Sequence, residues 1–148
     1  MPGDRAACRV SAVPYQASCV AIGGRGLLIE GPPGSGKSSL ALALIDRGAT
    51  LVGDDGVLLE LRAGRLWALP PKSIEGLIEI RNVGLARLSA LPAELALALR
   101  LDPGAPRHIE TAERIELAGG RLPLVRLWPG SPVLALRAEW ALALHGTS

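Results

Sequence analysis

The residues whose types and spacing suggest chemistry most directly are those at positions 31–38, GPPGSGKS, which fit the pattern G-x-x-x-x-G-K-[ST] at every required position. Glycines let a chain turn tightly around an anion, so that successive backbone N–H groups point at phosphate oxygens. The lysine of this pattern reaches the β- and γ-phosphates of a nucleotide, and its hydroxyl residue binds Mg²⁺. A Gly/Pro surface turn before an ordinary helix is the alternative. The pattern favours a loop that binds a nucleoside triphosphate.

The segments on both sides of this loop are those that phosphate binding needs. Residues 26–30 are mostly apolar and predict a short buried strand that enters the loop, and residues 39–47 predict a helix that leaves it. A helix in this position directs its positive N-terminal end at the phosphates. Gly48 follows where a left-handed residue would end the helix. The sequence therefore predicts the order strand, phosphate loop, helix.

Carboxylates follow the predicted helix at short distance. Asp54 and Asp55 come after an apolar pair and resemble the acidic element that faces Mg²⁺ and the reacting hydroxyl in phosphoryl-transfer sites. A solvated Asp-Asp-Gly turn is the alternative, but the position one helix beyond the loop favours function. Further along, Glu79 and Arg81 would share one side of an extended segment. For that pair, a surface ion pair is an equally good interpretation.

The remaining patterns predict a single domain over residues 1–148, rich in hairpins, with a loose leader at 1–9. A strand from Val10 is expected to stop at Pro14, and the apolar run 91–101 fits a strand or a helix equally. Loops rich in Gly connect the predicted hairpins, and Gly146 ends a closing helix. The predicted elements are hairpins of 18–22 with 27–29 and of 57–61 with 65–69, strands at 115–117 and 122–128, and a helix at 133–145.

Composition limits the classes of partner. The 16 basic and 14 acidic residues give a net charge of +2 and are scattered, so no nucleic-acid surface is predicted. No apolar stretch reaches the about 20 residues that a membrane span needs, and the N-terminus lacks a signal peptide's apolar segment. Cys8 and Cys19 suggest neither a disulfide framework nor a zinc cluster. A cytoplasmic protein without a membrane or nucleic-acid partner is expected.

From Ala17 to Gly84, and more weakly to the C-terminus, the chain resembles the HPr kinase/phosphorylase family. The form it resembles most is the short proteobacterial one, which lacks an extra N-terminal domain. Residues 36–55, GKSSLALALIDRGATLVGDD, carry this resemblance, since they match the family's spacing from phosphate loop to paired aspartates without a gap. A second landmark is residues 78–84, IEIRNVG, which are similar to the family's E-I-R-G-x-G signature.

The resemblance implies both a fold and an activity. The implied fold is α/β, a P-loop kinase core of the phosphoenolpyruvate carboxykinase-like type, with a mixed, hairpin-rich sheet, a helix after the P-loop and a C-terminal helix. The implied activity is an ATP- and Mg²⁺-dependent kinase for a serine of the phosphocarrier protein HPr, reversible with inorganic phosphate, in a hexamer. The alternatives are a small-molecule hydroxyl kinase on the same core and a nucleotide-binding regulator with little catalysis.

The resemblance also implies a role for each matched residue. Asp55 would be the general base, Lys37 a charge clamp, and Arg81 a group that neutralises charge on the transferred phosphoryl. Arg107 is matched to a downstream catalytic arginine, with Arg114 as its competitor. The implied metal ligands are Ser38, Asp54 and Glu79. The implied nucleotide-binding set is Gly31, Pro32, Pro33, Gly34, Ser35, Gly36, Lys37, Ser38 and Ser39.

The chain departs from the family pattern at four places. Gln16 stands where the family commonly has a histidine, and glutamine does not titrate near neutral pH. Ser39 replaces a frequent acidic residue, and Asn82 replaces the signature glycine. Residues 128–132, WPGSP, replace R-P-G-[RK]-N in a loop linked with dephosphorylation. The kinase direction is therefore expected ahead of phosphorolysis.

Overall fold

The computed structural model describes residues 12–147, which contain eleven strands, two α-helices and one short 3-10 helix. The helices are α1 (Lys37–Asp46) and α2 (Leu134–His145), and the 3-10 helix spans Lys72–Ile74. The predicted leader 1–9 lies outside the described residues. The strands are β1 (Val13–Tyr15), β2 (Ser18–Ile22), β3 (Arg25–Glu30), β4 (Thr50–Gly53), β5 (Val57–Arg62), β6 (Arg65–Leu69), β7 (Leu77–Ile80), β8 (Gly84–Arg87), β9 (Ala93–Leu101), β10 (Glu113–Leu117) and β11 (Gly120–Leu127).

Strand β9 is the centre of a mixed sheet of nine strands. Along one edge it pairs in parallel with β3, the strand that enters the phosphate loop. Along its other edge it pairs first with antiparallel β6 and then with parallel β11. The strand order is β1-β5-β6-β9-β3-β2-β4, and a branch of β11 and β10 joins it at β9. The predicted mixed, hairpin-rich sheet is therefore confirmed. The apolar run 91–101, which fitted a strand or a helix equally, thus contains a strand, β9, over Ala93–Leu101.

The sheet has apolar side chains on both of its faces. Helices α1 and α2 cover one face, where Leu97 and Leu99 of β9 are buried with Leu40 and Leu142 of the helices. On the opposite face, Leu95 packs in a second cluster with residues of β5, β6 and β11. Because β9 is buried on both faces, its residues 95–99 are continuously apolar and show no period of two.

The predicted hairpins are present as antiparallel pairs, β2 with β3, β5 with β6 and β10 with β11. The expectation that Pro14 ends a strand is wrong, because Pro14 lies inside β1 opposite Leu58. Strand β1 is at the end of the sheet path, and an edge strand tolerates a residue without an N–H. Helix α1 begins at Lys37, two residues before the predicted start.

Three parallel strands, β3, β9 and β11, end at one edge of the sheet. The phosphate loop follows β3 there, and the segments after β9 and β11 lie beside it. The remaining two strands, β7 and β8, form a separate hairpin whose buried Ile78 packs in the cluster beneath α1. Within the described residues, no helix combines the length and the apolar character needed to cross a membrane.

Candidate active site

A cleft of about 560 Å³ at this sheet edge collects nearly all of the predicted site residues. Its walls come from the phosphate loop, the start of α1, the turn after β4 and the β7–β8 hairpin. The residues that line it are Gln16, Gly31, Pro33, Gly34, Gly36, Lys37, Ser38, Ser39, Asp54, Asp55, Ile74, Leu77, Glu79, Arg81 and Leu85. Motifs that lie far apart in the sequence therefore line one cleft.

The phosphate loop has the backbone geometry that its glycines suggest. Gly34 and Gly36 have φ angles of 79° and 101°, which favour glycine. A Cβ on Gly31 would lie 2.6 Å from Ser35 Oγ and 3.3 Å from the backbone oxygen of Leu101, so a side chain there would displace its neighbours. Helix α1 starts without a side-chain cap, so its first N–H groups can bind a ligand oxygen. Ser35 Oγ is buried without a hydrogen-bond partner among the described residues, which also fits a loop built to close on an anion.

Lys37 places its charge over this loop. Its Nζ donates hydrogen bonds to the backbone oxygens of Gly31, at 3.0 Å, and of Pro32, at 3.3 Å. The ammonium group is thus held beside the same backbone that presents N–H groups to a ligand. A cation and a row of N–H donors together form a site for the phosphates of a nucleotide.

Asp54 is the buried centre of the polar contacts. Its Oδ1 accepts hydrogen bonds from Ser38 Oγ at 2.6 Å and from Ser18 Oγ at 2.9 Å. Its Oδ2 accepts one from the backbone N–H of Glu79 at 3.1 Å. One carboxylate therefore joins α1, β2 and β7 at the floor of the cleft.

These contacts bring together the oxygen ligands that magnesium prefers. The Ser38 hydroxyl and the Asp54 carboxylate touch, and both are hard donors of the type that Mg²⁺ takes in phosphoryl-transfer sites. Residues 12–147 contain no group of three or more His, Cys, Asp or Glu side chains that could hold a metal. The donor set thus fits an ion shared between few protein ligands and the phosphates of a nucleotide, rather than an all-protein metal cage.

Asp55 differs from Asp54 in exposure and in backbone conformation. Its side chain is exposed in the cleft, and its backbone is left-handed, with φ of 60°. The Asp55 N–H donates to Ser18 Oγ at 3.4 Å, so the same serine that binds Asp54 also holds the backbone of Asp55. A non-glycine residue in this conformation carries strain that its surroundings must compensate. The carboxylate is consequently directed into the cleft by a constrained turn.

Glu79 and Arg81 both line the cleft, but they do not share a strand. Strand β7 ends at Ile80, and residues 81–83 form the turn to β8, with Asn82 at φ of 70°. The expectation that the pair lies on one side of an extended segment is therefore wrong, since glutamate and arginine come from different elements. No salt bridge joins them among the described residues. Both charges remain available to the cleft.

Arg107 lies elsewhere. It lines a second cleft, with Trp128 and Arg137, formed by the segments after β9 and β11. Its competitor Arg114 is exposed in β10. The predicted catalytic role of Arg107 stays a prediction that this geometry does not support directly.

Ser18 is the site residue that sequence reasoning missed. It is fully buried and contacts both aspartates, yet sequence reasoning gave it no role beyond the start of an apolar strand. The available signals were a small polar residue in an otherwise apolar run and its place in residues 17–20, ASCV, which follow the position where the family commonly has a histidine. Its partners are 36 and 37 positions away, so only the fold reveals the role.

A buried ionic contact fixes the end of β3 just before the phosphate loop. Glu30 accepts hydrogen bonds from Arg100 Nε at 2.7 Å and from the Tyr15 hydroxyl. Burial, reinforced by the hydrogen bond to Glu30, raises the pKa of Tyr15 above its usual value, so the phenol remains a donor. Strand β3 is thereby tied to β1 and β9 at the residue preceding Gly31.

Comparison with known proteins places this fold and site in a family. The model of the HPr Serine kinase C-terminal domain matches residues 10–93. A relative named HPr kinase/phosphorylase from Acidovorax sp. (strain JS42) is 36% identical over an alignment of 115 positions, which covers 75% of this chain and 36% of the relative. One of the same name from Streptococcus thermophilus (strain ATCC BAA-491 / LMD-9) is 35% identical over an alignment of 122 positions, which covers 73% of this chain and 40% of the relative.

A solved structure agrees with these matches. The Hpr(Ser) kinase/phosphatase from Coxiella burnetii superposes with a TM-score of 0.75 and 26% sequence identity, over 88% of this chain and 93% of that one. This chain spans only 36% to 40% of the length of the two relatives compared. The phosphate loop, the aspartate pair and the β7–β8 hairpin also lie in one cleft. The chain therefore belongs to the family of the HPr serine kinase C-terminal domain.

Proposed function

We propose that the chain transfers the γ-phosphoryl group of ATP to a serine hydroxyl of the phosphocarrier protein HPr. The observation that carries this proposal is the single cleft that holds Lys37, Ser38, Asp55 and the phosphate loop together. The names of the relatives support HPr as the acceptor over a small metabolite. An oligomer, with the hexamer implied by the resemblance, belongs to the same proposal.

Each residue has a role that follows from its position. The N–H groups of the loop and of the α1 start bind the nucleotide phosphates, and Lys37 adds positive charge beside them. Ser38 and Asp54 would hold Mg²⁺, with Glu79 beside them, and the bound ion would neutralise charge on the phosphates. Arg81, in the turn of the β7–β8 hairpin that lines the cleft, would supply positive charge to the transferred group.

Asp55 is the proposed general base. A serine hydroxyl is a weak nucleophile at neutral pH, and a carboxylate within reach can accept its proton. The seryl oxygen bonds to the γ-phosphorus, the bond from that phosphorus to the β–γ bridging oxygen breaks, and ADP leaves. In the reverse direction Asp55 returns the proton, and Gln16 at the rim offers no titratable group to assist.

The test is transfer of labelled γ-phosphate from ATP to purified HPr in the presence of Mg²⁺. Wild type should give a phosphoserine product, and HPr with that serine replaced by alanine should give none. Asp55→Asn should lower the transfer rate about 10²- to 10⁴-fold while ATP affinity stays close to wild type. Lys37→Ala should weaken ATP binding as well as transfer, because its charge lies over the phosphate loop.

A matched control is Asp46→Asn, the same change at an exposed residue that ends α1. It should leave both ATP affinity and transfer unchanged. Labelling of a hydroxylated metabolite without labelling of HPr would replace the acceptor in this proposal. ATP binding without transfer to either would make the chain a nucleotide-binding regulator.

A further inference from the structure

A second cleft, of about 610 Å³, lies beyond the phosphate loop on the same sheet edge. The segments that follow β9 and β11 form its walls, together with the first turns of α2. Three arginines, Arg107, Arg126 and Arg137, line it with Trp128. No residue lines both this cleft and the nucleotide cleft. Its location also suits a ligand, because open sheets bind ligands outside the carboxyl ends of their parallel strands.

The three arginines differ in how far their charge is already compensated. Arg126 is bound by two carboxylates, to Asp102 at 3.1 Å and to Glu113 at 2.7 Å. Arg107 and Arg137 make no salt bridge with any described residue. Guanidinium groups stay charged at all physiological pH values. Two uncompensated positive charges therefore face the cleft.

Trp128 holds this arrangement in place. Its indole N–H donates to the backbone oxygen of Ala105 at 2.5 Å, which ties the segment after β11 to the segment after β9. The guanidinium of Arg137 lies 5.7 Å from the centre of the indole ring, within the range of a cation–π contact. The indole ring thus restrains the guanidinium of Arg137 by contact with its face. The N–H groups of that guanidinium make no hydrogen bond with a described residue and can bind a ligand. A restrained arginine loses less entropy when it binds an anion.

We propose that this cleft is a second ligand site, which binds a small molecule through a phosphate or carboxylate group held by Arg107 and Arg137. Planar guanidinium forks pair with both kinds of oxyanion through two parallel hydrogen bonds. The volume exceeds that of a lone ion and suits a metabolite with an apolar or planar part beside Trp128. The ligand is separate from the nucleotide and from the protein acceptor.

The test uses pyrophosphate and citrate as phosphate and carboxylate probes, titrated by calorimetry. The Lys37→Ala variant serves as the background, because it weakens anion binding at the phosphate loop. At least one probe should bind this background at one site, and Lys37→Ala/Arg137→Gln should weaken that affinity ten-fold or more. Which probe binds tighter identifies the anionic group. Arg121→Gln, an exposed arginine on β11 outside both clefts, is the matched control and should have no effect.

Further variants keep the proposal falsifiable. Trp128→Phe retains a ring but removes the bond to Ala105, and it should weaken probe binding while the fold stays intact by circular dichroism. Arg107→Gln should weaken probe binding too. Absence of binding to the Lys37→Ala background at millimolar probe, or equal affinity with and without Arg137, would overturn the proposal. Transfer to HPr does not enter these readouts, so the two proposals succeed or fail independently.

Discussion

Adjacent residues of the same type can have opposite environments, and Asp54 and Asp55 do. Asp54 is buried and accepts three hydrogen bonds, whereas Asp55 is exposed and strained. The buried carboxylate is fixed, which suits its proposed role as a metal ligand, and the exposed one is accessible from the cleft, which suits its proposed role as general base. Ser18 links the two, since its hydroxyl donates to the first and accepts from the backbone of the second.

Replacement of Ser18 by alanine should disturb both aspartates. Asp54 would keep its bonds from Ser38 and from the Glu79 N–H, but it would lose one buried donor, which costs about 1–3 kcal/mol of unfolding free energy. Because Asp54 and the Asp55 backbone lose their common anchor, transfer should also need more Mg²⁺. Denaturant unfolding and a Mg²⁺ titration of HPr phosphorylation measure the two effects. Ser73→Ala, at an exposed serine of the 3-10 helix, should change neither the unfolding free energy nor the Mg²⁺ requirement. If Ser18→Ala matched wild type in both measurements, the anchoring role would be refuted.

The sequence predicted those site residues whose role depends on local pattern. The phosphate loop and the aspartate pair belong to one strand–loop–helix–strand unit, so their spacing alone brings them together. Ser18 and the position of Arg107 could not be predicted, because each depends on how distant strands are placed in the sheet. The strand pairings that place them are set by packing over the whole core, which no short window of sequence contains.

The β7–β8 hairpin is held beside the cleft by hydrogen bonds at its start and at Glu79. Besides the bond from the Glu79 N–H to Asp54, Gly76 holds its start: the Leu88 N–H donates to Gly76 O at 2.7 Å. Gly76 has φ of 78°, and a Cβ there would lie 2.3 Å from Leu88 O. No side chain fits between the two ends of the hairpin.

Gly76→Ala should therefore displace the hairpin together with Glu79. The cost should reach about 3 kcal/mol or more, because backbone strain and steric overlap add, and transfer to HPr should fall with it. Gly64→Ala is the matched control, since Gly64 has φ of 80° but open space around its Cβ position. It should cost only about 1–2 kcal/mol, the strain alone, with full activity. Thermal unfolding and the transfer assay compare the two, and equal effects would show that the Leu88 contact does not matter.

Strands could be predicted from the sequence where glycines mark the turns between them. The choice between strand and helix stayed open where burial of both faces removes the alternation of apolar and polar residues. Glycines at 23–24, 64 and 119–120 mark three of the four hairpins that the described residues form, and β7 with β8 is the fourth. Strand β9 gave no such signal, because side chains on both of its faces are buried and apolar. Pro14 was misread since nothing in the sequence shows that β1 is an edge strand.

The stability of the whole molecule should depend on acid through Arg126, which ties β11 to β10 and to the end of β9. The Gly104 N–H and then Arg126 hold the pKa of Asp102 below its ordinary value of 3.8, and Arg126 holds that of Glu113 below 4.5. The unfolded chain therefore takes up these protons first as pH falls. The stabilisation is present above about pH 4.5 and is lost progressively below it.

Arg126→Gln should make this acid dependence shallower. Glu113 loses the main cause of its lowered pKa, while Asp102 keeps the Gly104 N–H. Denaturant unfolding at pH 7 and at steps between pH 5 and pH 3 measures the slope. Arg87→Gln is the control, because Arg87 bonds to a backbone oxygen of Glu75 and, within residues 12–147, forms no salt bridge with a carboxylate. An unchanged slope in Arg126→Gln would show that these ion pairs do not link protonation to folding.

The pairing of β3 with β9 also determines when the nucleotide loop can be completed during synthesis of the chain. The two strands align Glu30 with Arg100, residues 70 positions apart, and β11 joins β9 later still. Pairing of strands so far apart in sequence is slow, because the entropy of closing the long loop is lost before the strand contacts form. The segment matched by the family model ends at residue 93, the first residue of β9. A nascent chain that stops there contains every residue of the nucleotide cleft but lacks the strand that supports it, so the cleft forms only after the ribosome has passed well beyond it.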